Sequence, residues 1–170
     1  ILIKTGPVIT IRKLQEHVLN MYWSFPDGYQ SMAGLSLLVG LAVCDALKEF
    51  GVEDAELKWP NDIYLQGKKL AGVLIEVEGQ IGATAHSVIG IGLNVCVPDN
   101  QYDVGQPHSD LASYLGTIPD RNALAAEIIK SLWSYLPKFT QQGFGPFTAY
   151  WEALDLYADK RIVLQMGEKR

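Results

Sequence analysis

The sequence predicts an α+β fold in which helices cover one face of a mainly antiparallel sheet. Strand-like runs separated by short turns fill Ala55–Val97, which indicates an antiparallel meander with one buried face. Apolar residues at helical spacing predict a buried central helix over Met32–Phe50 and a second long helix over Arg121–Thr140. The chain has 170 residues, which is the length of one domain.

The N-terminal elements are predicted from local pattern. We expect a short helix over Thr10–Leu19 and then a strand over Val18–Phe25, where apolar and polar residues alternate. Ser31 is the predicted N-cap of the central helix, and Gly51 suits the position just after its end.

The remaining elements follow from turn residues and periodicity. A tight turn at Gln66-Gly67-Lys68 joins two strands of the meander. Pro98–His108 is polar and predicts a surface loop. Helices are expected from Ser109 or Asp110 to Leu115, from Arg121 after the Asp120 cap to about Thr140, and over Phe147–Leu154. Pro137 is expected to kink or end the second of these, and a last strand is expected over Ile162–Met166.

Charge and composition exclude several classes of protein. Fourteen Lys and Arg residues against nineteen Asp and Glu give a net charge of −5, which argues against a nucleic-acid-binding surface. Cys44 and Cys96 lie in apolar runs and predict reduced thiols rather than a disulfide or zinc site. The apolar run Met32–Cys44 is shorter than the ~20 residues that span a bilayer. We therefore expect a cytoplasmic protein without a membrane segment.

A polar cluster marks the first candidate site. Lys58-Trp59-Pro60-Asn61-Asp62 ends one predicted strand, and Lys69 opens the return strand of the next hairpin. Antiparallel pairing would bring Lys69 close to Asn61 and Asp62, so that one or two ammonium groups meet a carboxylate. An ammonium group at this position can neutralise the negative charge where a substrate carboxylate meets a phosphate. A carboxylate beside it can hold the lysine in place or bind Mg²⁺. The alternative is an exposed hairpin with surface ion pairs.

A second candidate site is the strand Gly90-Ile91-Gly92-Leu93-Asn94. Glycines at alternate positions clear one face of a sheet for a flat ligand or for another backbone. The Asn94 carboxamide, with a donor and an acceptor, suits the edge of a nucleobase. The alternative is that the glycines permit close packing against the central helix.

These motifs resemble those of the bacterial biotin protein ligases, or biotin–[acetyl-CoA-carboxylase] ligases. The resemblance rests on KWPNDIYLQGKKLAGVLIE over residues 58–76 and IGIGLNV over residues 89–95. LNMYWS at residues 19–24 and GLSL at 34–37 also fit. The resemblance implies a fold like the catalytic core of class II aminoacyl-tRNA synthetases.

The resemblance also implies a two-step reaction. Biotin and ATP form biotinyl-5′-AMP and pyrophosphate, and a lysine of a biotin carboxyl carrier protein then accepts the biotin. Lys69 and Asp62 would be catalytic, with Asp62 also a ligand of Mg²⁺. The residues expected to line biotin and the adenylate are Lys69, Gly72, Leu74, Asn61, Asp62, Gly92, Leu93 and Asn94.

The chain departs from the family pattern at its N-terminal end. The family's Gly/Arg-rich ligand loop is not recognisable over residues 10–17, where Arg12 and Lys13 are the expected remnant. By this resemblance residues 1–157 form the catalytic domain and residues 158–170 begin an SH3-like C-terminal β domain of a longer protein. An exposed edge strand could pair two subunits. The alternatives are a lipoate or octanoate ligase or transferase of related fold, and a non-catalytic biotin-binding module.

Overall fold

The protein contains a six-stranded antiparallel sheet. The computed structural model describes residues 9–13, 17–79, 83–97 and 107–162, and over residues 9–18 it describes the backbone alone. The strands are β1 (Ile9–Lys13), β2 (His17–Phe25), β3 (Ala55–Lys58), β4 (Asp62–Leu65), β5 (Lys68–Glu78) and β6 (Ala85–Leu93). Their order across the sheet is β1-β2-β6-β5-β4-β3. The helices are α1 (Leu35–Lys48), α2 (Leu111–Leu115), α3 (Arg121–Gln142) and α4 (Thr148–Ala153).

The predicted meander is confirmed, because β3, β4, β5 and β6 pair in sequence order, each antiparallel to the next. Gln66 and Gly67 join β4 to β5 with positive φ angles of 53° and 73°. Two left-handed residues give the turn type whose twist matches a two-residue hairpin. The sheet then extends through β2, which pairs along its whole length with β6.

Helices α1 and α3 cover one face of the sheet, as predicted. Leu38 and Leu41 of α1 are fully buried, and Leu132 and Leu136 of α3 are also inaccessible. The rings of Phe25 and Phe139 meet edge to face at 6.1 Å, which ties β2 to α3. The core therefore lies between the helices and one sheet face, which leaves the opposite face of the sheet without a helix among the described residues.

Three local predictions are wrong. The helix expected over Thr10–Leu19 is instead the hairpin of β1 and β2, because pairing of Ile9–Lys13 with β2 outweighs local propensity. The central helix begins at Leu35, since the Ser31 hydroxyl donates to the Gly28 carbonyl and closes a separate 3₁₀ turn. Pro137 lies on the exposed side of α3 without ending the helix.

Other predicted boundaries are confirmed within a residue or two. The Asp110 carboxylate accepts a hydrogen bond from Ser113 N–H and caps α2. The Asp120 carboxylate accepts two backbone N–H groups at the start of α3, which holds the pKa of Asp120 below its usual value. Residues 163–170 lie outside the described part, so the predicted strand Ile162–Met166 and the C-terminal β domain are not tested.

The apolar helix is buried in the protein core. Tyr29–Lys48, the 3₁₀ turn together with α1, is long and apolar enough for a membrane span by length and composition, with a mean hydropathy of 1.5. However, 56% of its most apolar window is buried, and the core helix of a soluble protein meets the same criteria. Cys44 is in this helix, and burial raises the pKa of its thiol to about 12, which fits the predicted inert thiol.

A carboxylate joins α1, α3 and α4. Asp45 accepts hydrogen bonds from the Tyr135 hydroxyl, the Tyr150 hydroxyl and the Lys48 ammonium. Burial by itself would raise the pKa of Asp45, but these hydrogen bonds outweigh it and hold the pKa below its usual value of 3.8. The charged form of Asp45 therefore stabilises the packing of the three helices.

We expect Asp45→Asn to lower the free energy of unfolding by about 1–3 kcal/mol at neutral pH, the range for hydrogen bonds to a charged group. Because the folded pKa of Asp45 is lowered, its contribution is present above the unfolded pKa and is lost as pH falls through the folded pKa. Urea unfolding across the acid range measures this. Glu49→Gln, at an exposed position, is the control. A deficit that stays constant with pH would contradict the electrostatic explanation.

Candidate active site

A single row of paired residues crosses the face of the sheet that is opposite the helices. Lys58 pairs with Asp62, Asp62 with Gly72, and Gly72 with Gly92. Successive residues of a strand point to opposite faces, and the flanking Leu57, Ile63, Val73 and Ile91 are all buried on the helix side. The row therefore presents an ammonium, a carboxylate and two bare glycines on what we call the open face.

A β-bulge places Lys69 on the open face. Ile63 pairs with Ala71 and Tyr64 with Lys69, so Leu70 is an extra residue without a partner in β4. Both Leu70 and Ala71 are buried, which breaks the alternation of β5 at this point. Bulges commonly redirect side chains next to active sites. Without the bulge, alternation from Gly72 would direct Lys69 toward the core.

Lys69 and Asp62 form the predicted ion pair. Lys69 Nζ lies 2.6 Å from Asp62 Oδ1, and the two side chains are 38% and 18% exposed. A Cβ built on Gly72 would lie 3.4 Å from Lys69 Nζ and 3.5 Å from Asp62 Oδ1. Gly72 therefore forms the floor directly beneath the pair, and the ammonium remains accessible from solvent.

Gly90 and Gly92 continue this floor. Among the described residues, a Cβ on Gly92 would have no atom within 4 Å, and a Cβ on Gly90 would lie 3.3 Å from the side-chain Oδ1 of Asn20. Neither glycine faces α1, so the interpretation of close helix packing is wrong for both. Gly92 leaves free space above the sheet, as a flat ligand would require.

Asn94 and Leu93 are oriented differently from each other. Leu93 is 1% exposed in the core, so only its backbone could border a ligand. Asn94 Nδ2 donates to the Ser109 carbonyl at 3.1 Å and lies 3.5 Å from the Lys69 carbonyl. Asn94 therefore fixes residues beside Lys69 through its amide nitrogen. Among the described residues, no group donates to its Oδ1.

Asn61 and Leu74 line a groove of about 330 Å³ between β5 and the start of α1, with Ser36 and Pro60 among its other walls. Asn61 Nδ2 donates to the Val73 carbonyl at 2.8 Å, and Val73 N–H donates back to the Asn61 carbonyl. Asn61 thus serves mainly to hold the turn before Asp62. Leu74 is 62% exposed and presents its side chain, not only its backbone.

The sequence did not predict the backbone hydrogen bonds that hold Lys69 from residues 107–109. The Lys69 N–H donates to the Pro107 carbonyl, and the Ser109 N–H donates to the Lys69 carbonyl. Pro107 and His108 were expected in a surface loop, yet His108 forms a parallel bridge with Lys69. Only the adjacent predicted helix start at Ser109 or Asp110 hinted that this segment is ordered. The side chains of Arg12 and Lys13 lie outside the described part.

The described residues provide little for a metal ion on their own. No group of three His, Cys, Asp or Glu side chains is close enough to form a metal site among them. Asp62 is one carboxylate, and it is already paired with Lys69. Because Mg²⁺ usually keeps several waters and is held through one or two carboxylates with substrate phosphates, Asp62 is compatible with an ion brought by a nucleotide.

Comparison with known proteins identifies the class of this domain. Residues 19–94 match the biotin/lipoate A/B protein ligase family. The chain is similar to the bifunctional ligase/repressor BirA of Salmonella typhimurium, with 37% identity over 151 residues, covering 89% of this chain and 47% of that protein. It is also similar to the biotin–[acetyl-CoA-carboxylase] ligase of Mycobacterium tuberculosis, with 40% identity over 107 residues, 61% of this chain and 37% of that protein.

A solved structure extends the similarity to three dimensions. The biotin protein ligase of Aquifex aeolicus in complex with biotin and ATP superposes with a TM-score of 0.70 at 30% identity, covering 82% of this chain and 59% of that one. Over residues 19–94 the chain therefore carries a domain of the biotin/lipoate A/B protein ligase type. Within that family, the proteins to which it is similar are biotin protein ligases, and the predicted fold is confirmed. The chain spans about half the length of the curated relatives it matches.

We expect Gly92→Val to change the free energy of unfolding by less than about 0.5 kcal/mol, since a side chain there meets open space. Gly40→Val is the matched control. A Cβ on Gly40 in α1 would lie 2.9 Å from Leu57 Cδ2, so that variant should lose about 1–3 kcal/mol. Chemical denaturation of both variants measures the difference. Equal destabilisation would indicate that Gly92 is needed for packing instead of access.

Proposed function

We propose that this domain activates biotin with ATP and transfers it to a lysine of a carrier protein. The observation that carries the proposal is the Lys69–Asp62 pair above the Gly72–Gly92 floor, where an accessible ammonium faces a surface bare of side chains. Relatives named as biotin protein ligases support the same substrates. The reaction needs a cation where a carboxylate and a phosphate, both negative, must meet.

The first step is attack by a biotin carboxylate oxygen on the α-phosphorus of ATP. A new O–P bond forms, the bond between the α-phosphorus and the bridging oxygen breaks, and pyrophosphate leaves with the electron pair. The Lys69 ammonium lowers the repulsion between the two anions and stabilises the negative charge of the transition state. The Asp62 carboxylate, 2.6 Å away, holds the Lys69 ammonium in position.

The second step transfers the acyl group. The amine of the acceptor lysine, once neutral, attacks the carbonyl carbon of biotinyl-5′-AMP and an amide bond forms. The bond between that carbon and the phosphate oxygen breaks, AMP leaves with the electron pair, and the proton lost by the amine passes to solvent. In this proposal Asn94 Oδ1 accepts from the exocyclic amine of adenine, beside Gly92 and the Leu93 backbone. Mg²⁺ would be held by phosphate oxygens and by Asp62 as the protein ligand. When bound, it would neutralise part of the negative charge of the phosphates.

The same proposal includes the acceptor protein, the cellular compartment and the assembly of the protein. The acceptor is a biotin carboxyl carrier protein, and the reaction takes place in the cytoplasm. A homodimer would form through an exposed sheet edge. A lipoate ligase would need the same anionic junction, but two of the similar proteins named here are biotin ligases by name. Exchange of biotin for lipoate as the acyl substrate separates these two activities.

We expect Lys69→Ala to slow biotin-dependent release of pyrophosphate from ATP by about 100-fold or more, as for loss of a charge-stabilising group at a transition state. Lys68→Ala, at the exposed neighbouring position, is the control and should retain the wild-type rate. The assay is coupled pyrophosphate detection with and without biotin. If wild-type protein binds biotin but never releases pyrophosphate, the non-catalytic biotin-binding module becomes the better account.

A further inference from the structure

Lys58 is a charged residue at the active site to which neither the fold nor the proposed chemistry has given a role. It ends β3 and lies directly opposite Asp62 on the open face, in the same row as Gly72 and Gly92. Adjacent strands are about 4.8 Å apart. Asp62 is therefore flanked on one side by Lys69 and on the other by Lys58.

The Lys58 ammonium is held by an aromatic side chain. Lys58 Nζ donates to the Tyr64 hydroxyl at 3.1 Å and lies 5.0 Å from the centre of the Tyr64 ring. Tyr64 is on the open face of β4, one pleat beyond Asp62, and it pairs with Lys69 across the bulge. This contact orients the ammonium without neutralising it, because a phenol carries no charge.

The local charge is positive as a result. Among the described residues no carboxylate lies within 4.0 Å of Lys58 Nζ, whereas Lys69 is paired with Asp62. The hydrogen bond to Tyr64 raises the pKa of Lys58, and the charge of Asp62 contributes in the same direction, so Lys58 is cationic at neutral pH. Two ammonium groups and one carboxylate leave a net charge of +1 at a position open to solvent.

We propose that Lys58 binds the polyphosphate of ATP, and that it stabilises the pyrophosphate leaving group while Lys69 acts at the carboxylate–phosphate junction. This inference rests on the proposed adenylation reaction. As the bond to the α-phosphorus breaks, the electron pair and the negative charge move to the bridging oxygen of pyrophosphate. A fixed ammonium beside that oxygen lowers the barrier, and no proton has to be transferred. Tyr64 is the positioning residue that directs Lys58.

The test uses Lys58→Met, which keeps the length of the side chain and removes its charge. We expect the Kd for a non-hydrolysable α,β-methylene analogue of ATP to rise by about ten- to a hundredfold, as for loss of one charge-assisted phosphate contact. Biotin affinity, measured by calorimetry on the same protein, should change less than about twofold. Lys58→Arg keeps the charge and should recover most of the analogue affinity.

One control variant and three possible outcomes separate the role of Lys58 from the ligase function on which it rests. Lys68→Met removes a charge from the adjacent hairpin and should leave the Kd of the analogue unchanged. Normal pyrophosphate release and analogue binding by Lys58→Met would overturn the role of Lys58 while leaving the ligase function intact. Analogue binding that depends on Lys58 in a protein that releases no pyrophosphate would support the phosphate site and overturn the reaction. Wild-type protein that binds no analogue would overturn both.

Discussion

One extra residue in β5 determines the chemistry of the open face. The bulge at Leu70 turns two consecutive side chains into the core and brings Lys69 to the same side as Asp62 and Gly72. On the side away from β4, the Lys69 N–H donates to the Pro107 carbonyl and the Lys69 carbonyl accepts from the Ser109 N–H, which holds the backbone beside the bulge. Burial of the Leu70 side chain therefore fixes the position of the accessible Lys69 ammonium.

The remainder of the site follows from strand register. Because Asp62, Gly72 and Gly92 are paired across three strands, a carboxylate and two side-chain-free positions share one row. The helices bury the other face, and so the ligand side needs no apolar side chains for stability. This separation lets the open face carry charges and bare backbone while the core remains well packed.

Local spacing explains which parts of this arrangement could be predicted. Lys69 was expected near Asp62 because a tight hairpin joins their strands, and the turn residues Gln66 and Gly67 are strong signals. The resemblance to biotin protein ligases supplied the candidate roles. Helix caps at Asp110 and Asp120 were equally clear, since each carboxylate bonds to the backbone a few residues onward.

Other features depend on contacts that are distant in sequence. The strand state of Ile9–Lys13 comes from its pairing with β2, which a five-residue segment does not reveal by itself. The bulge at Leu70 depends on a match with Ile63 and Tyr64, because an apolar residue there also fits a regular strand. The pairing of His108 with Lys69 joins positions that no local pattern connects.

The topology of the sheet has a consequence for how the protein folds. Strands β3 to β6 are neighbours in sequence and can associate through local hairpins, which already assembles Lys69, Asp62 and both glycine strands. Pairing of β2 with β6 instead joins Asn20 to Gly90, far apart along the chain, and must close a long loop. We therefore expect the cationic half of the site to form early in folding, and the Asn20 side of the floor to form only when β2 docks.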